Sequence, residues 1–179
     1  WICGQQFCRA AGQIFFASWF ATYLQEAAGV NILQSGLLTM LPIVGRVIGG
    51  LLGGIISDWV LTRTGSIGWA RKGVAGTSLG ICAALVFIAL SVESPTLAVL
   101  LISLGATFAA FAGACAYTIT IDLGGRHVPV VFSTMNMIGN FGAALFPLAA
   151  AWLRVRTGNW DAVLLVFGAL YIVAALCWL

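Results

Sequence analysis

The sequence predicts an all-α membrane protein, one bundle of six transmembrane helices over residues 1–179. Three observations carry this: 61% of the residues are hydrophobic, only 7% are charged, and the apolar runs are long and unbroken. Soluble domains carry roughly 25% charged residues, so a chain with so few could not cover its surface in water. The mean hydropathy of +1.07 agrees, and lipid is the solvent for most of the chain. In hydrocarbon every backbone N–H and C=O must pair internally, which leaves helices or a closed barrel. Barrel strands alternate apolar and polar residues. Here several runs stay apolar over the roughly 20 residues that cross a ~30 Å core, so helices follow.

The first helix is expected over residues 1–24, closed by Gln25-Glu26 and Gly29-Val30-Asn31. The second covers 33–57, with Pro42 as a candidate kink, and a polar loop follows over 58–72. The third covers 73–92 and stops at Glu93-Ser94-Pro95; the fourth covers 96–121. A short loop holding Asp122, Gly124, Gly125, Arg126 and His127 leads to the fifth, over 128–153. Residues 154–160 form the last loop and 161–179 the sixth helix. Arg63, Arg71, Lys72 and Arg126 lie in the loops after the second and fourth helices, against Arg154 and Arg156 on the other side. The excess of basic residues places the 58–72 loop in the cytoplasm.

The net charge of +3 comes from scattered basic residues that form no run, so a nucleic-acid partner is not expected. Cys3, Cys8, Cys82, Cys115 and Cys177 lie in apolar stretches without metal-ligand spacing and read as small buried hydrophobes. His127 reads as a solvated loop residue. No Ser/His/Asp set, carboxylate dyad, phosphate loop or metal cluster stands in the sequence, so neither an enzyme nor a cofactor is expected. The chain opens inside an apolar stretch without an initiator methionine or a signal-peptide pattern. A fragment lacking its N-terminal portion is the expectation.

Glycines concentrate in the second helix, where Gly45/Gly49, Gly49/Gly53 and Gly50/Gly54 each stand four apart. Such stripes let another helix approach closely, either as static packing or as a sliding contact. The segment that follows is the most informative: Gly53-Gly54-Ile55-Ile56-Ser57-Asp58, then Arg63-Thr64-Gly65-Ser66, then Ala70-Arg71-Lys72. An aspartate at a helix end with arginines nearby forms charge-assisted bonds between helices. A cluster that holds in one conformation and releases in another suits a gate. Asp58, Arg63, Arg71 and Lys72 are the gating candidates.

This pattern, G-G-x-x-S-D-x-x-x-x-R-x-G-S closing on A-R-K, resembles the second copy of the loop motif in the major facilitator superfamily. Within it, the chain resembles the anion:cation symporter family of hexuronate, galactonate and sialic-acid transporters. Gln6-Phe7-Cys8 and Phe15-Phe16-Ala17-Ser18-Trp19-Phe20-Ala21-Thr22-Tyr23-Leu24 match the first helix of that family's C-terminal half, apart from Ala21 where proline is common. Asn136, Gly139, Gly142 and Pro147 match its penultimate helix. The resemblance implies the C-terminal six-helix half of a twelve-helix transporter, working against an N-terminal half that usually holds the acidic residues for proton coupling and a principal substrate-binding arginine.

It further implies that Gln6 and Asn136 face a substrate cavity, where amides suit hydroxyl and carboxylate groups; an interhelical hydrogen bond is the plainer role. Asn140 shares the face of Asn136, and Gln13 lies about two turns after Gln6. Tyr117 offers an aromatic wall with a polar tip, or simple packing. Arg46 lies mid-helix among Ile43, Val44, Val47 and Ile48. A charge there costs roughly 2.5–3.5 kcal/mol, so it needs a carboxylate partner, an aqueous cavity or an anionic substrate. Arg9 stands near enough to the cytoplasmic side to snorkel.

The function implied is secondary active transport of a small organic anion by alternating access. Proton-coupled uptake of a sugar acid, such as a hexuronate or galactonate, across a cytoplasmic (inner) membrane is the specific expectation. Export, or sodium-coupled carriage of a carboxylate or phosphate compound, is the alternative within transport. A non-transporting scaffold or receptor on the same fold is the alternative outside it.

Overall fold

The computed structural model describes residues 1–27 and 29–179. Among them are seven α-helices and no strand. The first predicted helix is two: α1 (Ile2–Ser18) and α2 (Phe20–Glu26), broken at Trp19. Neither glycine nor proline makes the break. Trp19 is held by a tertiary bond instead, its indole N–H donating to the Pro147 carbonyl at 3.1 Å.

α3 (Ile32–Thr64) begins at Asn31, whose side-chain oxygen accepts the Gln34 N–H at 2.9 Å and so satisfies an orphan donor. It ends at Gly65, whose φ of +65° lets the chain leave in a left-handed turn. At 1.5 Å per residue its 33 residues reach about 50 Å, well past a hydrocarbon core. The predicted loop over 58–72 is corrected accordingly. Asp58 and Arg63 sit in the last turns of α3, and Arg71 and Lys72 sit in a π-helical turn, Gly68–Gly73, that opens α4 (Val74–Leu90).

α5 (Pro95–Gly124) begins with a proline in its first turn and likewise absorbs Asp122, expected in a loop. Gly125, at φ +51°, reverses the chain through a short 3₁₀ turn, Gly125–His127, into α6 (Val128–Thr157). α7 (Asp161–Leu176) carries Asp161 in its first turn, where a carboxylate complements the helix dipole. Three helical stretches are long and apolar enough to cross a membrane: Ile32–Thr64, Gly68–Leu90 and Pro95–Thr157; Asp161–Leu176 is a shorter apolar helix. The third stretch is the reversed pair α5–α6.

Lipid tails are as apolar as leucine, so these helices associate by close packing rather than by escape from water. α3 lies on α5 through Gly45, Gly49 and Gly53: a Cβ at each would overlap the Thr107 hydroxyl, the Thr107 carbonyl and the Phe111 backbone respectively. Gly50 and Gly54, the other predicted stripe, face open space. α1 lies on α6 through Gly142, where a Cβ would overlap the Phe7 carbonyl. α4 packs against α5 and α7. Phe15, Phe16, Phe20, Phe146, Phe167 and Tyr171 interlock edge-to-face where α1, α2, α6 and α7 meet. Two close pairs result, α1–α6 and α3–α5, backed by α4 and α7.

Candidate functional site

A cleft of about 340 Å³ opens where the two pairs face each other. α1 contributes Gln6, Arg9 and Gln13, spaced i, i+3, i+7 and so on one face. Arg46 comes from α3, Tyr117 from α5, and Asn136 and Asn140 from α6. All six residues that the sequence singled out for substrate contact therefore meet in one place. The cleft continues along α3 into a hollow of about 460 Å³ that shares Gln13, Arg46 and Tyr117.

Arg9 is the residue that sequence reasoning misplaced. It does not snorkel: it is 3% exposed, its Nη2 and Nε donate to Gln6 Oε1 at 2.7 and 3.3 Å, and its guanidinium lies 5.9 Å from the Tyr117 ring centre. Two glycines make the room. A Cβ at Gly113 would come within 3.0 Å of Arg9 Nη1, and one at Gly139 within 2.8 Å of Gln6 Cγ. The usable signal was the shared face of Gln6, Arg9 and Gln13.

No aspartate or glutamate lines the cleft, and neither Arg9 nor Arg46 makes an ion pair among the described residues. The side chains of Gln13, Asn136 and Asn140 are likewise without a hydrogen-bond partner there. Two guanidinium groups and three free amides around an acid-free hollow can hold an anion and hydrogen-bond its substituents.

The gating candidates separate. Arg71, 4% exposed, donates to Asp58 Oδ1 at 2.8 Å, Asp122 Oδ2 at 2.8 Å and Ser57 Oγ at 2.6 Å. Ser57 in turn donates to the Ala70 carbonyl at 2.8 Å, pinning the π-helical turn that carries Arg71. The cluster ties α3, the turn and α5 together. Arg63 and Lys72 stand outside it. Arg63 lies 5.5 Å from the Trp59 ring centre and Lys72 5.5 Å from that of Trp1. Sequence reading missed Ser57 and Asp122 as partners, because Asp122 is 51 residues from Arg71.

Elsewhere, Glu26 at the end of α2 accepts from Arg154 Nη2 and from the Trp160 indole, each at 3.0 Å. Its arginine is more exposed than Arg71.

The structure is thus an apolar helical bundle whose cleft, among the described residues, is lined by two arginines and no carboxylate. Residues 2–179 match the Major Facilitator Superfamily, and the chain belongs to that family of transporters. It is 31% identical to a probable galactarate/D-glucarate transporter of Escherichia coli (strain K12), over 97% of this chain and 38% of that protein. It is 31% identical to a probable sulfoacetate transporter of Cupriavidus necator, over 95% and 40%. It is 32% identical to a chloroplastic ascorbate transporter of Arabidopsis thaliana, over 96% and 32%. The chain thus spans about a third to two fifths of the length of these relatives.

Proposed function

We propose that this chain is one six-span half of a secondary transporter for small organic anions, sugar acids foremost, and that the cleft is its share of the substrate site. The observation that carries the reading is the meeting of Arg9 and Arg46 in a hollow without a carboxylate. An uncompensated buried charge is costly, and an anion that enters and leaves supplies the compensation only while bound. The acidic substrates named for the bacterial relatives support the same reading.

In this reading α1–α2 and the five other helical segments each cross a cytoplasmic (inner) membrane, with the Arg71 cluster on the cytoplasmic side. A second six-helix half faces the cleft and completes the site, and the halves rock about it. Asp58, Arg71 and Asp122 form a gate that is whole in one state and loosened in the other. Protons drive uptake, and the groups that carry them lie outside this cleft, which has no acid to titrate.

The test is uptake by the full-length protein in proteoliposomes, driven by an imposed pH gradient, with labelled sugar acid. Accumulation that a protonophore abolishes is expected. Accumulation that follows a sodium gradient instead would reject proton coupling. Absence of any flux or exchange would favour a scaffold or receptor.

A further inference from the structure

We infer that Gln6 is a positioning residue: it aims the Arg9 guanidinium while leaving its charge uncancelled, and acts on a bound anion through Arg9 rather than by touching it. The inference rests on the anion-site reading above and divides the labour within that site.

Gln6 and Arg9 are each 3% exposed, so their pairing is made by this chain alone. They stand i, i+3 on α1 and therefore on one face. Arginine has donors only, so the glutamine turns its oxygen to it. Gln6 Oε1 accepts from Arg9 Nη2 at 2.7 Å and from Nε at 3.3 Å, two bonds along one edge of a planar group. Two contacts on one edge fix where that plane lies, and Nη1 is left outside the pair. Two glycines seat the arrangement. A Cβ at Gly139 on α6 would stand 2.8 Å from Gln6 Cγ and 3.1 Å from its Nε2, so α6 holds the amide against Arg9. One at Gly113 on α5 would stand 3.0 Å from Nη1, and the Tyr117 ring centre lies 5.9 Å from the guanidinium carbon.

What matters is that residue 6 is an amide and not an acid. A glutamate there would accept the same two bonds, but it would neutralise Arg9 as Asp58 and Asp122 neutralise Arg71. An incoming anion would then have to displace a built-in carboxylate. The amide orients the guanidinium and cancels nothing. Its two bonds also use both lone pairs of the Gln6 oxygen, so Gln6 has no acceptor left for a substrate hydroxyl. Gln13, Asn136 and Asn140 line the same cleft and keep theirs.

The experiment is equilibrium binding of labelled galactarate to the full-length protein, with the melting temperature read on the same samples. Four variants are compared with the wild type: Gln6→Glu, Gln6→Met, Arg9→Met and the double variant Gln6→Met/Arg9→Met. Gln6→Glu should weaken binding at least about tenfold, the loss of one charge-assisted contact, while the melting temperature holds or rises. Gln6→Met should weaken it about tenfold. In the Arg9→Met background the same change should cost less than about twofold, because nothing is left to aim. Effects of the two single variants that add in the double variant would mean that Gln6 touches the anion itself, which overturns the inference and leaves the anion site intact. Gln6→Glu binding as tightly as the wild type overturns it too, as does a lowered melting temperature with binding unchanged in both Gln6 variants. A wild type without affinity, or Arg9→Met binding like the wild type, overturns the anion site and the inference together. Gln6→Leu takes the place of Gln6→Met should the latter fail to fold.

Discussion

Two arginines of this chain are buried almost equally, Arg71 at 4% exposure and Arg9 at 3%, and they live in opposite electrostatic worlds. Arg71 meets two carboxylates and a hydroxyl, all within 2.8 Å. Arg9 meets one amide oxygen and the face of a tyrosine. A guanidinium with all its counter-charge built in holds the structure together. One left short of charge carries a cost that, under the proposed function, a bound anion would offset. Burial alone does not separate the two; the partners do.

The sharpest way to break this comparison is to replace both side chains by methionine in the full-length protein. Arg71→Met strands Asp122 and removes the clamp on α3 and α5. Losing one partner of a buried pair costs roughly 3–5 kcal/mol, and because Asp58 is 68% exposed the low end applies, about 3 kcal/mol. A melting temperature in detergent lowered by several degrees is expected. Arg9→Met should leave the melting temperature unchanged or raised, since it removes an uncompensated charge, yet should weaken sugar-acid binding about 10- to 100-fold. If Arg9→Met were as destabilising as Arg71→Met, Arg9 would be a structural residue and the contrast would fail.

A smaller effect belongs to the space around Arg9. Gly113→Ala pushes a methyl to about 3.0 Å from its Nη1, so the guanidinium must shift. Sugar-acid affinity should fall several-fold while α5, lengthened by no polar group, stays folded. Unchanged affinity would mean that the seat of Arg9 is looser than drawn. Asn136→Ala, with no hydrogen bond inside the bundle to lose, should cost affinity by about tenfold and stability very little. A drop in melting temperature with binding intact would reverse that assignment.

Asp58→Asn sharpens the other side. Its carboxylate is largely solvated and Asp122 remains, so the stability loss should stay near 1 kcal/mol or below. A gate role requires transport to fall more than expression does, and normal uptake kinetics would leave Asp58 a surface residue. Least of all should Glu26→Gln matter. That exposed contact with Arg154 is worth about 0.2–1 kcal/mol, and it should weaken further as salt is raised.

The sequence by itself determined the class of fold, because a chain with so little charge and such long apolar runs needs lipid as its solvent, and in lipid its backbone must pair within each helix. It also singled out polar residues that the fold brings together: Arg46 by the cost of a charge in an apolar helix, Gln6 and Asn136 by the family resemblance, Gln13 and Asn140 by helical spacing from those two, and Tyr117 by its polar tip all line the cleft. Local rules failed where tertiary contacts overrode them. Residues 58–64 are polar enough to read as loop, yet α3 continues through them, with Ser57 bonded to the turn that carries Arg71. The first helix reads as continuous, yet it breaks at Trp19, whose indole is held by Pro147. Of the two glycine stripes, which one α5 would cover was undecidable from spacing, since both are equally smooth. Only the folded bundle decided that Arg71 meets Asp122 from 51 residues away while Arg9 meets no acid. Ion pairing depends on distances in space, and neither residue type nor helical period contains them.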